Sequence, residues 1–270
     1  MDKYFISLAN SYKRGGRCVA GIEIEYQSLN DWAIVKTIDD VPQWIRPLAG
    51  TKYGEIPVNE ATILNPFTIV KVCNVEPCPH NVHTEDVYYS SMHIAGQIEP
   101  SVELLDQFID FMHRSPFGNH GKALKAEKDT GTNYSLMLIR LERAVVDNED
   151  VWGKKKTKIT FDYNGYSYSL PITDPSFLAW YRSHGEKRTE LSETYIVLSL
   201  GLEYEGWYHK LVAAVLRMPE EKMHTHIAPK PYLTDTDPEC GDNKVSEERT
   251  EYKPLSIWKK FRNLFERLIQ

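Results

Sequence analysis

At 270 residues, with 41% hydrophobic and 26% charged side chains, the chain has room for one large domain or two small ones, each with a core of its own. A net charge of −6 weighs against a protein that coats nucleic acid through bulk electrostatics, so any polyanion must be met by local basic clusters. The opening residues lack a basic segment followed by a long apolar run, no stretch approaches bilayer-spanning length, and the four cysteines (Cys18, Cys73, Cys78 and Cys240) are irregularly spaced; a cytoplasmic protein with neither signal peptide, membrane span nor disulfide framework is expected.

In chain order, Tyr4 to Leu8 reads as a short strand, followed by a basic, glycine-containing loop, Lys13-Arg14-Gly15-Gly16-Arg17. Trp44-Ile45 is a strand fragment ended by Pro47, and Phe67 to Val75 and Val87 to Ile98 are further strands. Ser101 to Met112 predicts a helix capped by Ser101, with Val102, Leu105, Ile109 and Met112 on one face. Residues 1–100 are read as one small barrel and 101–133 as a helical connector.

The second half is more legible. Tyr134 to Val146 is a strand rich in β-formers. Ile159 to Tyr163 and Tyr166 to Leu170 alternate on either side of Asn164-Gly165, the dipeptide that best tolerates the two positive φ angles of a tight hairpin. Asp174-Pro175 opens a helix with Phe177, Leu178, Trp180 and Tyr181 on its apolar side and Gly185 as terminator. Tyr195 to Leu200 and Tyr208 to Leu216 complete five strands with a helix between the third and fourth, an oligonucleotide-binding (OB) arrangement over residues 134–217. Residues 218–254 are a polar linker with scattered prolines and a charge of about −4. Residues 255–270 predict an amphipathic helix, with Ile257, Trp258, Phe261, Leu264, Phe265 and Leu268 on one stripe and Lys259, Lys260, Arg262 and Arg267 opposite. The fold class is thus mainly β: two OB-like barrels, a helical connector, a flexible linker and a C-terminal helix.

Several segments resemble the dual OB-containing domain family of prokaryotes: Phe5 to Gly21, Trp44-Ile-Arg-Pro47 and Gly54-Glu-Ile56 its first half, Leu170-Pro-Ile-Thr-Asp-Pro175 and Gly206 to Ala214 its second. The likeness spans residues 1–217 in order. It implies two OB-like barrels, with nucleic-acid or nucleotide recognition in a bacterial defence or mobile-element setting, and no catalytic residue or cofactor.

For ligand contact the leading residues are Lys13, Arg14, Gly15, Gly16 and Arg17, whose cations suit phosphate and whose glycines permit close backbone approach; the competing reading is a solvated turn. Arg46 either meets a phosphate or pairs with a carboxylate such as Glu55, and Trp44 is expected in the core. Trp207, Tyr208 and Lys210 are expected at the mouth of the second barrel, Lys210 as a cation that must snorkel or find an anion. Tyr163, Tyr166 and Tyr168, beside Lys154, Lys155, Lys156 and Lys158, form either a stacking platform or an edge blunted by lysines. Asp174 is explained as a helix cap. Cys73, Cys78, His80 and His83 carry metal-ligand types at a spacing unlike the usual zinc motifs, so no metal is expected.

The expectation is a non-enzymatic adaptor. Its barrels bind single-stranded nucleic acid or a nucleotide-like ligand, and its terminal helix docks a partner protein. The alternatives are a sensor of a nucleotide second messenger and a structural subunit.

Overall fold

Alternation along a strand gives each face of a sheet every second side chain, so a strand apolar at all positions must bury both faces. The computed structural model describes residues 1–28, 31–111, 113–126, 132–151, 153–217 and 232–233, with 26–28, 151 and 232–233 by backbone alone. It is mainly β, as expected, with two curled sheets.

The first sheet comprises β1 (Lys3–Lys13), β2 (Gly16–Ser28), β3 (Asp31–Ile34), β4 (Trp44–Leu48), β5 (Thr68–Cys73), β6 (Glu76–Pro77), β7 (Asp86–Tyr88) and β8 (Ser91–Gln97), with the short helix α1 (Val58–Ala61) between β4 and β5. β1 pairs with β2 and β5, β2 with β3 and β4, and β5 with β8. Beyond β4 the sheet continues with β7 in parallel, Arg46 opposite Asp86 and Leu48 opposite Tyr88, and then β6. Helix α2 (Val102–Gln107) and β9 (Ala123–Lys125) follow.

The second sheet contains β10 (Leu136–Val151), β11 (Lys154–Tyr163), β12 (Tyr166–Pro171), helix α3 (Pro175–Ser183), β13 (Thr189–Tyr204) and β14 (Trp207–Arg217), with β9 on its edge. β10 pairs with β11 and β13, β11 with β12, and β13 with β14. A parallel bridge from Ile172 to Val212 closes it. Both barrels therefore follow one plan. β1 lies between β2 and β5 as β10 lies between β11 and β13, a helix precedes β5 as it precedes β13, and each sheet has one parallel contact, β4 with β7 and Ile172 with Val212. This repeat exists in pairing, not in residue identity.

β10 meets β13 along 136–146 but β11 along 144–151, a stagger that tilts and curls the sheet. Register breaks at Val197/Leu198 and Leu200/Glu203 bend β13 further.

Three apolar clusters follow from the alternation. Phe5, Val19, Ile45, Val70 and Val72 fill the first barrel, and Met137, Ile139, Phe161, Leu170, Ile196 and Val212 the second. The intervening positions (Ile6, Leu8, Ala20 and Ile22 against Leu136, Leu138, Tyr195, Val197, Ala213 and Leu216) form a third cluster that joins the barrels, with Leu104, Leu105 and Phe108 packed into it. The all-apolar run 211–216 is explained: its strand has an interior on both sides.

Several sequence expectations change in detail. The helix expected over 101–112 spans Val102–Gln107, capped by the Ser101 hydroxyl as expected, with Phe108 as its C-cap. Residues 101–133 thus give α2 to the seam and β9 to the second sheet. β4 continues through Pro47 to Leu48, and Trp44 is core, 8% exposed. Within the linker, Tyr232–Leu233 form β15, antiparallel to β8. The rest of that linker and residues 255–270, including Ile257, Trp258, Phe261, Leu264, Phe265 and Leu268, lie outside the described residues.

Candidate ligand-binding surface

The β1–β2 hairpin turns at Arg14-Gly15, where Gly15 has φ +86°. Its flank is clamped to a second loop: Arg17 and Ile56 exchange backbone hydrogen bonds of 2.9 Å each. Gly16 is required by that clamp, since a Cβ there would fall 2.4 Å from the Ile56 carbonyl. The glycines thus serve close approach to the protein's own chain. Glu55 organises the clamped loop by accepting from the Thr51 hydroxyl and the Tyr53 amide, each at 2.8 Å.

This arrangement presents two rings with cations against them. The Arg14 guanidinium lies 4.8 Å from the centre of Tyr53, with the Lys52 ammonium at 5.4 Å from the same ring. Arg17 lies 4.4 Å from the centre of Tyr12, whose side chain is 48% exposed. Lys13 is half-buried. Burial lowers the pKa of its ammonium, with Arg46 pressing the same way while Cys18, Asp86 and Glu55 oppose it. Among the described residues, neither Lys13 nor Arg17 forms an ion pair. Sequence reasoning singled out Lys13, Arg14 and Arg17 but not Tyr12, Lys52 and Tyr53, which the structure brings beside them; Gly54, at φ +67°, marks the tight turn that does so.

Arg46 lies behind this surface, 4% exposed. Its Nε donates to Asp86 Oδ1 at 2.5 Å and its head group is 3.6 Å from Glu85, so its carboxylate partners are these and not Glu55. Burial works against its charge, but the two carboxylates outweigh burial and hold it protonated. Burial pushes the Glu85 carboxyl up, against the pull of Arg46 and a short hydrogen bond from the Ser135 hydroxyl. His83 Nδ1 lies 2.7 Å from the same hydroxyl, and burial, reinforced by Arg46 and Lys13, keeps its imidazole neutral. The His83 ring meets Tyr208 edge-on at 5.6 Å. A buried polar chain thus runs from β4 of the first barrel to β14 of the second.

Along β14 the expected trio separates by alternation. Trp207 is 43% exposed, whereas Tyr208 and Lys210 point inward, 2% and 1% exposed. Lys210 donates to the Asn119 carbonyl at 2.6 Å and lies 5.6 Å from the centre of the Tyr168 ring. Burial lowers its pKa to about 8. Of the three tyrosines around the Asn164-Gly165 turn, Tyr166 is exposed, Tyr163 half-buried and Tyr168 buried. Nearby, Lys155 pairs with Glu186 and Lys158 with Glu149. Asp174 caps α3 by accepting from Ser176 and Phe177, and also accepts from Val215.

No disulfide framework is expected from the sequence, yet Cys73 is buried and disulfide-bonded, while Cys18 and Cys78 are free thiols. A disulfide sulfur is no metal-binding thiolate. His80 and His83 face each other across a backbone bridge, and no group of three metal-ligating side chains occurs among the described residues. No described helix is long and apolar enough to cross a membrane.

A model of the dual OB-containing domain family matches residues 3–215. No curated protein matches. Among solved structures, a murine DNA-binding protein bound with double-stranded DNA aligns over 89% of this chain and 99% of that one, at 7% identity and a TM-score of 0.27. At that score the likeness carries no argument.

Proposed function

As the chain belongs to the dual OB-containing domain family, we propose that it is a non-enzymatic binding protein that holds single-stranded nucleic acid on the hairpin surface of its first barrel. The observation that carries this reading is the set of Arg14, Arg17 and Lys52 cations against the Tyr53 and Tyr12 rings, with no ion pair to Arg17 among the described residues. In OB barrels the loop joining the first two strands is a usual site of oligonucleotide contact, and here that loop is Lys13 to Gly16. Bases stack on the tyrosines, and the guanidiniums make charge-assisted hydrogen bonds to phosphate. Arg46 supports the surface from beneath and does not touch the ligand.

The non-enzymatic reading is supported by the Ser135, His83 and Glu85 group. Its hydroxyl is 0% exposed and donates to the carboxylate, so no substrate reaches it as a nucleophile. As an adaptor, the protein would use the apolar stripe of residues 257–268 to dock a partner protein in a prokaryotic defence system, a role that pull-down with and without residues 255–270 tests.

Anisotropy titration of labelled single-stranded DNA and RNA across a salt series tests the ligand. With about three phosphates neutralised, log affinity should fall with log salt at a slope of about −2. Arg14→Ala with Arg17→Ala should weaken binding by about tenfold or more. No retention of any oligonucleotide at low salt removes the proposal.

A second reading has its own support. The desolvated Lys13 ammonium, which forms no ion pair among the described residues, suits a single phosphate group, as in a nucleotide second messenger. Thermal-shift measurements with mono-, di- and cyclic nucleotides separate the two.

A further inference from the structure

Residues 117–122, just ahead of β9, lie over Lys210 and Tyr168 of the second barrel as a strap. Phe117, fully buried in that barrel's core, anchors one end in the left-handed region at φ 55°. β9, paired with β14, anchors the other. Between them Asn119 closes a turn, donating to the Ala123 carbonyl at 2.9 Å and accepting from the Gly121 amide at 3.0 Å. The tip, His120 to Lys122, is exposed.

At that tip the His120 imidazole stacks on Tyr166, centroids 3.5 Å apart and planes 14° from parallel. Its Nδ1 lies 3.2 Å from the Tyr168 hydroxyl. The ring is therefore held by its π face and by one polar edge, which is how a protein holds an unpaired base. Positive charge surrounds it. The Lys210 ammonium is spent on the adjacent Asn119 carbonyl, with no carboxylate among the described residues, and burial, with repulsion from nearby Lys122, lowers the pKa of Lys158.

We propose that Tyr166, Tyr168 and Lys210 form a second base-and-phosphate site for single-stranded nucleic acid, and that His120 occupies the base position until a ligand displaces it. Gly118, at φ 72°, lets the tip swing away while Phe117 and β9 stay seated. Release frees the Lys210 ammonium from Asn119, and a phosphate then supplies the anion it lacks. The ligand class rests on the hairpin reading, but the geometry of this site does not.

The test titrates a fluorescein-labelled six-nucleotide thymidylate into full-length protein carrying Arg14→Ala and Arg17→Ala, which silences the first surface. Adding His120→Ala, or Asn119→Ala with His120→Ala, should tighten binding at least fivefold over that background. Further addition of Tyr166→Ala should abolish the gain, with unfolding midpoints confirming that each variant is folded. No gain in either strap variant, or a gain indifferent to Tyr166, overturns the proposal. Because the signal is a difference within the silenced background, it survives even if wild-type protein shows no Arg14- and Arg17-dependent binding, the result that would remove the hairpin reading alone.

Discussion

Arg46 and Lys210 are both cations withdrawn from water, and they resolve the cost differently. Arg46 keeps its charge because Asp86 and Glu85 come with it. Lys210 finds a carbonyl and an aromatic face, and its pKa falls from 10.5 to about 8. Between those pH values the unfolded chain binds the proton more tightly than the folded one, so Lys210's contribution to stability rises with pH across that window. Relative to Lys210→Met, wild-type stability should gain up to about 3 kcal/mol on going from pH 8 to 10.5, read by urea unfolding at each pH. A flat difference would mean the ammonium is solvated. The sequence showed that Lys210 enters an apolar strand, but its partner, Asn119, lies 91 positions away. Arg46 likewise reads as a cation in need of a carboxylate, yet its choice of Asp86 over Glu55 depends on a parallel pairing that no local pattern reports. Tyr12 and Tyr53 carry no sign of their pairing with Arg17 and Arg14, because the loop clamp creates it.

The Asn164-Gly165 turn adopts the two positive φ angles, 49° and 82°, that its dipeptide predicts. A Cβ on Gly165 would meet nothing within 4 Å, so Gly165→Ala tests backbone conformation alone. It should cost about 1 kcal/mol, measured by denaturant unfolding, while leaving the core intact. Gly21 is the contrast: a Cβ there would lie 1.9 Å from the Ile6 carbonyl, beside the register shift between β1 and β2, and Gly21→Ala should prevent folding. The second barrel was legible because the Asn-Gly turn, the Asp174 cap and clean alternation mark its elements independently. Charged ends hid the full 16-residue lengths of β10 and β13, in which residues such as Glu149 and Asp150 continue the ladder beyond the core. α1 and β9, at 4 and 3 residues, are too short to show a period.

The barrels share a core instead of a cleft. Ile6, Leu8 and Ile22 of one meet Leu136, Val197 and Leu216 of the other, so neither buries its apolar surface alone. Calorimetry should show one cooperative transition, and residues 1–133 expressed apart from 134–217 should remain unfolded until the two are mixed. Two separate transitions would make the seam a mere contact. The order of the barrels was readable from the sequence, but the seam was not, since a strand buried on both faces looks like any apolar run. The short pairing of Tyr232 and Leu233 with Gly96 and Gln97 has a consequence of its own. It covers backbone groups on the outer rim of β8, beside Ile94, which is 41% exposed. A chain ending at Arg217 would leave that rim open to the same strand of another copy, a template for edge-to-edge dimerisation. Sedimentation at rising concentration should show the shortened chain associating while the full-length one stays monodisperse.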